Sequence, residues 1–275
     1  MPERPRTPKK SSPTLLLFAL LVRGRKVKPL RTRLSSPTLC LTLPRLLGMT
    51  TPSVLENSSV FISTKLVNLV VVYILEKSRL TYQQPLERCY HAFYNIMSDQ
   101  VPDIKEKCLL SDNVLDYWFV SQGKLTVPSI DDKEDMQFAD EAFDILGFSE
   151  TEKFNMFKCT AALMHMGNMT KDFVPVGKEE QAEVKDDTHA QKVATLCGID
   201  CEWMITYFCK PKLKVGTEWV QKGSTCSQAG SSVSGIARGI YERSFRLVVE
   251  KCNETLCDPT MKKVTYIGVL DIAGN

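Results

Sequence analysis

Histidine is nearly missing from this chain: there are three in 275 residues. That scarcity argues against a His-based hydrolase, and His165 and His189 are poorly placed to complete a zinc site. Ser121-Gln122-Gly123 lacks the G-x-S-x-G frame of a nucleophile elbow. No G-x-x-x-x-G-K-[ST] occurs anywhere, so no loop of that kind cradles the β- and γ-phosphates of a nucleotide. Ten cysteines are present but scattered. The closest pairs, Cys197-x-x-x-Cys201 and Cys252-x-x-x-x-Cys257, do not have pair-of-pairs metal spacing, so reduced thiols in a cytosolic setting are expected. Membrane-length apolar runs are missing too. Residues 15–22 are apolar, but Arg23-Gly24-Arg25-Lys26 stands where a signal peptide would have small residues. Residues 66–75 make about half a span. A soluble, intracellular chain without membrane contact is the expectation.

Charge is present but lopsided. Residues 1–47 hold eleven Lys/Arg against Glu3, about +10, while the chain as a whole is +3, which leaves about −7 for the rest. A basic arm can grip nucleic acid or a membrane surface. Prolines at 2, 5, 8, 13, 29, 37 and 44 break helices here, however, and no aromatics interleave with the cations for base stacking. The leader, residues 1–72, reads as disordered or as sequence foreign to the rest, and a nucleic-acid role is not expected.

The other terminus carries the chemistry. Tyr266-Ile267-Gly268-Val269-Leu270-Asp271-Ile272-Ala273-Gly274-Asn275 reads as a buried strand ending in Asp-x-x-Gly. Such a string is an ordinary turn in most contexts. At the carboxyl end of a strand in an α/β sheet, the Asp can hold Mg²⁺ through water, and the Gly lets a backbone N–H approach a phosphate. Upstream the pattern is mostly helical. Helices are expected over 76–97 with a break near Pro85, and over 102–110, 131–147, 150–166, 179–198, 201–209 and 224–257. Ser129-Ile130-Asp131-Asp132 and Ser149-x-x-Glu152 supply capping signals, and Gly147 a stop. Loops are expected at 114–123 and 167–176, a loop or hairpin at 211–223, and a final strand at 265–270.

Ile267-Gly268-Val269-Leu270-Asp271-Ile272-Ala273-Gly274 resembles switch II of muscle-type (class II) myosin heavy chains. The likeness runs backwards through Leu75-Glu76-Lys77-Ser78-Arg79 and Glu87-Arg88-Cys89-Tyr90-His91-Ala92-Phe93-Tyr94. It continues through Val120-Ser121-Gln122-Gly123, Ala142-Phe143-Asp144-Ile145-Leu146-Gly147-Phe148, Met164-His165-Met166-Gly167, Lys214-Val215-Gly216-Thr217-Glu218-Trp219-Val220 and Cys252-Asn253-Glu254-Thr255-Leu256. Order and spacing hold from about Tyr73 to Gly274. Residues 60–72 do not resemble the family's switch I, and Asn275 stands where the family has Phe-Glu. The chain is similar to an internal piece of a motor head, residues 73–275.

The resemblance implies a mainly α fold: the helical upper 50 kDa subdomain of the α/β P-loop motor head plus one terminal strand, expected to lack sheet partners here. It implies the family's role, ATP-driven movement along actin filaments in a cytoplasmic myosin complex or myofibril, with ATP and Mg²⁺ as cofactors. Actin and the remainder of a myosin heavy chain are the implied partners. Asp271 and Gly274 fall on the nucleotide side, with Asp271 reaching Mg²⁺ through water. Lys212, Lys214, Glu218 and Lys222 lie where the family carries an actin-touching loop. Residues 169–183 match a second actin-facing loop, although Asp172-Phe173-Val174-Pro175-Val176 departs from its basic pattern. Without a phosphate loop or switch I, the chain alone is expected to be inactive; the alternative is a non-catalytic actin-interaction fragment or a truncated gene product.

Overall fold

The computed structural model describes residues 75–128, 130–178 and 180–256, together with three strands, 59–63, 68–72 and 267–271, for which backbone pairing alone is described. In chain order the elements are β1 (Ser59–Ser63), β2 (Asn68–Val72), α1 (Ser78–Thr81), α2 (His91–Asn95), α3 (Ile104–Lys107) and a single 3₁₀ turn (Val114–Asp116). Then follow α4 (Asp132–Ile145), α5 (Glu150–Met169), β3 (Phe173–Val176), β4 (Gln181–Val184), α6 (Thr188–Cys197) and α7 (Cys201–Cys209). The chain continues through β5 (Lys212–Val215), β6 (Glu218–Gln221), α8 (Cys226–Leu256) and β7 (Ile267–Asp271). The expected mainly helical architecture is what the structure has.

The helix ends follow from local chemistry. Asp131 caps α4 by accepting from the amides of Lys133 and Glu134, and Asp132, Glu134 and Asp135 put negative charge on the positive end of the helix. Gly147, at φ +77°, closes it. Its N–H donates to the Asp144 carbonyl and that of Phe148 to the Phe143 carbonyl, the two bonds of a Schellman stop. The Phe143 and Phe148 rings then meet edge-on at 5.0 Å. Ser149 and Glu152 form a reciprocal capping box at the start of α5. Thr225 and Gln228 do the same before α8.

Two long helices organise the core. The second half of α5 is buried nearly all round, from Ala161 through Met166. The helix α8 buries one stripe, Ala229, Val233, Ala237, Tyr241, Phe245, Val248 and Cys252, which repeats every three to four residues. Tyr90 stacks on Tyr241 at 4.6 Å. A salt bridge of 2.7 Å from Lys77 to Glu242 ties the start of α1 to α8.

Four sequence expectations are corrected. Residues 76–97 do not form one helix broken at Pro85; α1 and α2 are short, and 82–90 is irregular. Tertiary partners overrode the helical spacing: Gln83 Nε2 donates to the carbonyls of Arg79 and Phe119, and the Lys124 amide to the Glu87 carbonyl at 2.7 Å. Gly123 sits so close to this segment that a Cβ would lie 2.1 Å from the Glu87 carbonyl oxygen. Secondly, 167–176 and 179–198 are not a loop and a helix, because α5 runs on to Met169 and a hairpin, β3–β4, follows before α6 starts at Thr188. Pro175 is tolerated because a two-stranded ribbon leaves it an unbonded edge.

The terminal strand also has partners. β7 pairs antiparallel with β1, Ser59 opposite Asp271, and β1 pairs antiparallel with β2, giving the order β2-β1-β7. Finally, ten residues of the supposed disordered leader, 59–63 and 68–72, are strands of this sheet; residues 1–58 lie outside the described residues.

Candidate functional site

The helix α7 begins at Asp200, whose side chain accepts from the Trp203 amide at 2.7 Å. It ends at Cys209, and the chain turns into a hairpin. The register is Lys212↔Gln221, Leu213↔Val220, Lys214↔Trp219 and Val215↔Glu218. Gly216 is the first of the two turn residues and has φ +63°. That conformation is cheap for glycine and gives a turn whose twist suits the strands.

The base of this hairpin is held on several sides. The Lys222 amide donates to the Pro211 carbonyl at 3.1 Å, and the Ser224 amide to that of Cys209 at 2.8 Å. Gln221 Nε2 donates to the Lys210 carbonyl at 3.1 Å. The Ala182 amide donates to the Ser224 carbonyl at 2.7 Å, and Gln181 bridges to Thr225, so the two hairpins meet at their roots. Beyond this base, all eight strand residues are exposed.

Opposed residues of an antiparallel pair point to the same side, and alternate residues point to opposite sides. The register therefore divides the blade into two faces. Lys212, Lys214, Trp219 and Gln221 share one; Leu213, Val215, Glu218 and Val220 share the other. Among the described residues, Lys212, Lys214, Glu218 and Lys222 form no salt bridge. The blade thus offers cations and an indole on one side and an aliphatic strip with one carboxylate on the other.

This gathers Lys212, Lys214 and Glu218 on one hairpin, with Lys222 immediately after β6. The segment 169–183, expected as a second loop, contributes β3 and most of β4. Sequence reasoning passed over the apolar members. Trp219 is 67% exposed and Val215 64%. On α7, Trp203 and Tyr207, spaced i, i+4, stack at 5.8 Å on its outer side. Glu218-Trp219-Val220-Gln221 does not alternate polar with apolar residues, so the sequence marks no buried face for Trp219.

Asp271 is the last residue of β7, and Gly274 lies outside the described residues. Among the described residues no group of three carboxylate, histidine or cysteine side chains can hold a metal ion. One strand-end carboxylate without a phosphate-cradling loop does not make a Mg²⁺–nucleotide site. No helix among the described residues is long and apolar enough to cross a membrane.

Residues 61–275 match the family described as myosin head (motor domain). The chain belongs to the myosin head family. Over 202 residues, 74% of this chain, it is 45% identical to Myosin-3 and to Myosin-1 of Caenorhabditis elegans, and 44% identical to Myosin-3 of Caenorhabditis briggsae. It spans about a tenth of the length of these relatives. The chain is a segment of a class II-like myosin motor head. The family match begins at residue 61 and takes in most of β1 and all of β2, although the sequence pattern alone suggests an unrelated leader through residue 72.

Proposed function

We propose that this motor-head segment supplies an actin-facing surface, with the β5–β6 hairpin as an electrostatic contact. In a complete head it would take part in ATP-driven movement along filaments, within a cytoplasmic myosin complex or myofibril and joined to the rest of a heavy chain. The observation that carries the reading is the register of the hairpin: Lys212 and Lys214 stand on one face of a blade exposed along its whole length. Asp271, at the end of β7, and Gly274, three residues on in the sequence, are assigned to the nucleotide side, where Asp271 would approach Mg²⁺ through water once other parts of a head complete the site. The missing phosphate loop favours a segment that binds without hydrolysing.

Binding through a few exposed cations is weak. Each exposed ion pair contributes about 0.2–1 kcal/mol, and salt screens it over about 8 Å at physiological strength. Co-sedimentation with actin filaments is therefore expected at low salt, with loss as salt rises and several-fold weakening in Lys212→Glu. The basic residues before position 48 are a competing contact, so the series is repeated with Arg23, Arg25 and Lys26 changed to Gln. Sedimentation indifferent to Lys212→Glu in that background would remove the hairpin from the contact.

A further inference from the structure

Four helices meet around a cavity of about 60 Å³ that no role described above uses. Helix α4 contributes Met136 and Phe143, α5 contributes Leu163, and α8 contributes Phe245 and Val248. All five are buried. Half-buried Ala92, Met156, Thr160 and Ser244 stand where the cavity nears the surface.

The polar groups on its wall are already engaged, with one exception. Thr160 Oγ1 donates to the Met156 carbonyl at 3.0 Å. Ser244 bonds the Cys159 thiol. Asn95, with its amide turned to suit its neighbours, donates to the His91 carbonyl at 3.0 Å and to Asp132 Oδ1 at 3.3 Å. Of the side chains on this wall, only Tyr241 has a buried polar atom, its hydroxyl, without a hydrogen-bond partner among the described residues. A buried water needs two to four polar partners, and here it would find one. An apolar cavity with so little to offer water stays dry and takes apolar guests.

We propose that this four-helix junction is a binding site for small neutral apolar molecules. Its size sets the class. A void of about 150 Å³ holds benzene or xenon, so one of 60 Å³ excludes a benzene ring and admits a noble-gas atom or a guest of two or three heavy atoms. Because α2, α4, α5 and α8 all touch the guest, occupation favours the packed arrangement over any in which these helices part.

The probe is xenon, applied under pressure to the full chain with methyl groups of Leu, Val, Ile and Met observed by NMR. Saturable shifts are expected at Leu163 and Val248, with the methyls of the β5–β6 hairpin unmoved. Ala139→Leu and Thr160→Leu each place a side chain into the space, and in whichever variant keeps the parent circular dichroism the shifts are expected to vanish. Tyr241→Phe removes the lone donor and should leave xenon binding within twofold. Shifts that do not saturate, that miss Leu163 and Val248, or that survive in a folded cavity-filling variant would overturn the site.

Discussion

His165 is completely buried, with its ring edge-on to Tyr117 at 5.5 Å and 6.0 Å from that of His189. Burial, then the nearby Lys192 charge, holds it neutral and pushes its pKa down to about 4 from 6.5, against a weak contact to the Cys108 carbonyl at 3.4 Å. The unfolded chain therefore binds a proton below pH 6.5 that the folded chain refuses, and stability falls as pH drops from 6.5 toward 4. Between pH 7 and 5 this one residue is expected to remove about 2 kcal/mol. Urea unfolding at both pH values reads it: the loss should be smaller by that amount in His165→Gln, which cannot titrate. An equal loss in both chains would assign the acid sensitivity to other groups.

At the scale of elements, the ends of α4 and the middle of α8 ask opposite things of glycine. Gly147 has φ +77°, which an L side chain resists. Gly147→Ala is therefore expected to destabilise by about 1 kcal/mol, although open space surrounds the new methyl. Gly239 lies inside α8 with nothing within 4 Å of an added methyl and no positive φ. There alanine removes backbone freedom from the unfolded chain and should stabilise by about 0.5–1 kcal/mol. Paired thermal melts give the signs. A matching sign at both positions would overturn the assignment of these effects to backbone conformation.

At the scale of the molecule, hydrolysis depends on prearranged charges around the γ-phosphate. These 275 residues contain no phosphate loop, and among the described residues no group of three carboxylate, histidine or cysteine side chains can hold a metal ion. A polypeptide of this sequence is expected to release no phosphate from ATP above a protein-free blank, with or without actin filaments. Actin-stimulated release would mean that a nucleotide site assembles from other groups. The same polypeptide leaves Trp203, Val215 and Trp219 exposed. Trp219 shares a face with Lys212 and Lys214, so a partner that meets these cations also meets the indole.

The amino-acid sequence by itself determined what depends on near neighbours. The cap at Asp131, the Schellman stop at Gly147, the capping box at Ser149 and the bounds of α7 are all settled within one or two helical turns. The hairpin at 211–223 was legible for the same reason, since its turn and alternation are local. The likeness of the segments from Leu75 to Gly274 was legible too, and with it the family; an actin-facing role for Lys212, Lys214, Glu218 and Lys222 is the proposal drawn from that likeness. Tertiary structure decided what depends on distant partners. The aromatic spacing from Leu86 to Met97 suits a helix, yet bonds to 119–124 hold 82–90 irregular. β4 exists because Ser224 and Thr225 offer it a second edge, and β7 has a neighbour because residues more than two hundred positions earlier form β1. A strand's hydrogen bonds leave the segment that makes them, whereas a helix closes its own. The caps and stops could therefore be read in order along the chain, while the sheet order β2-β1-β7 and the meeting of the two hairpins could not.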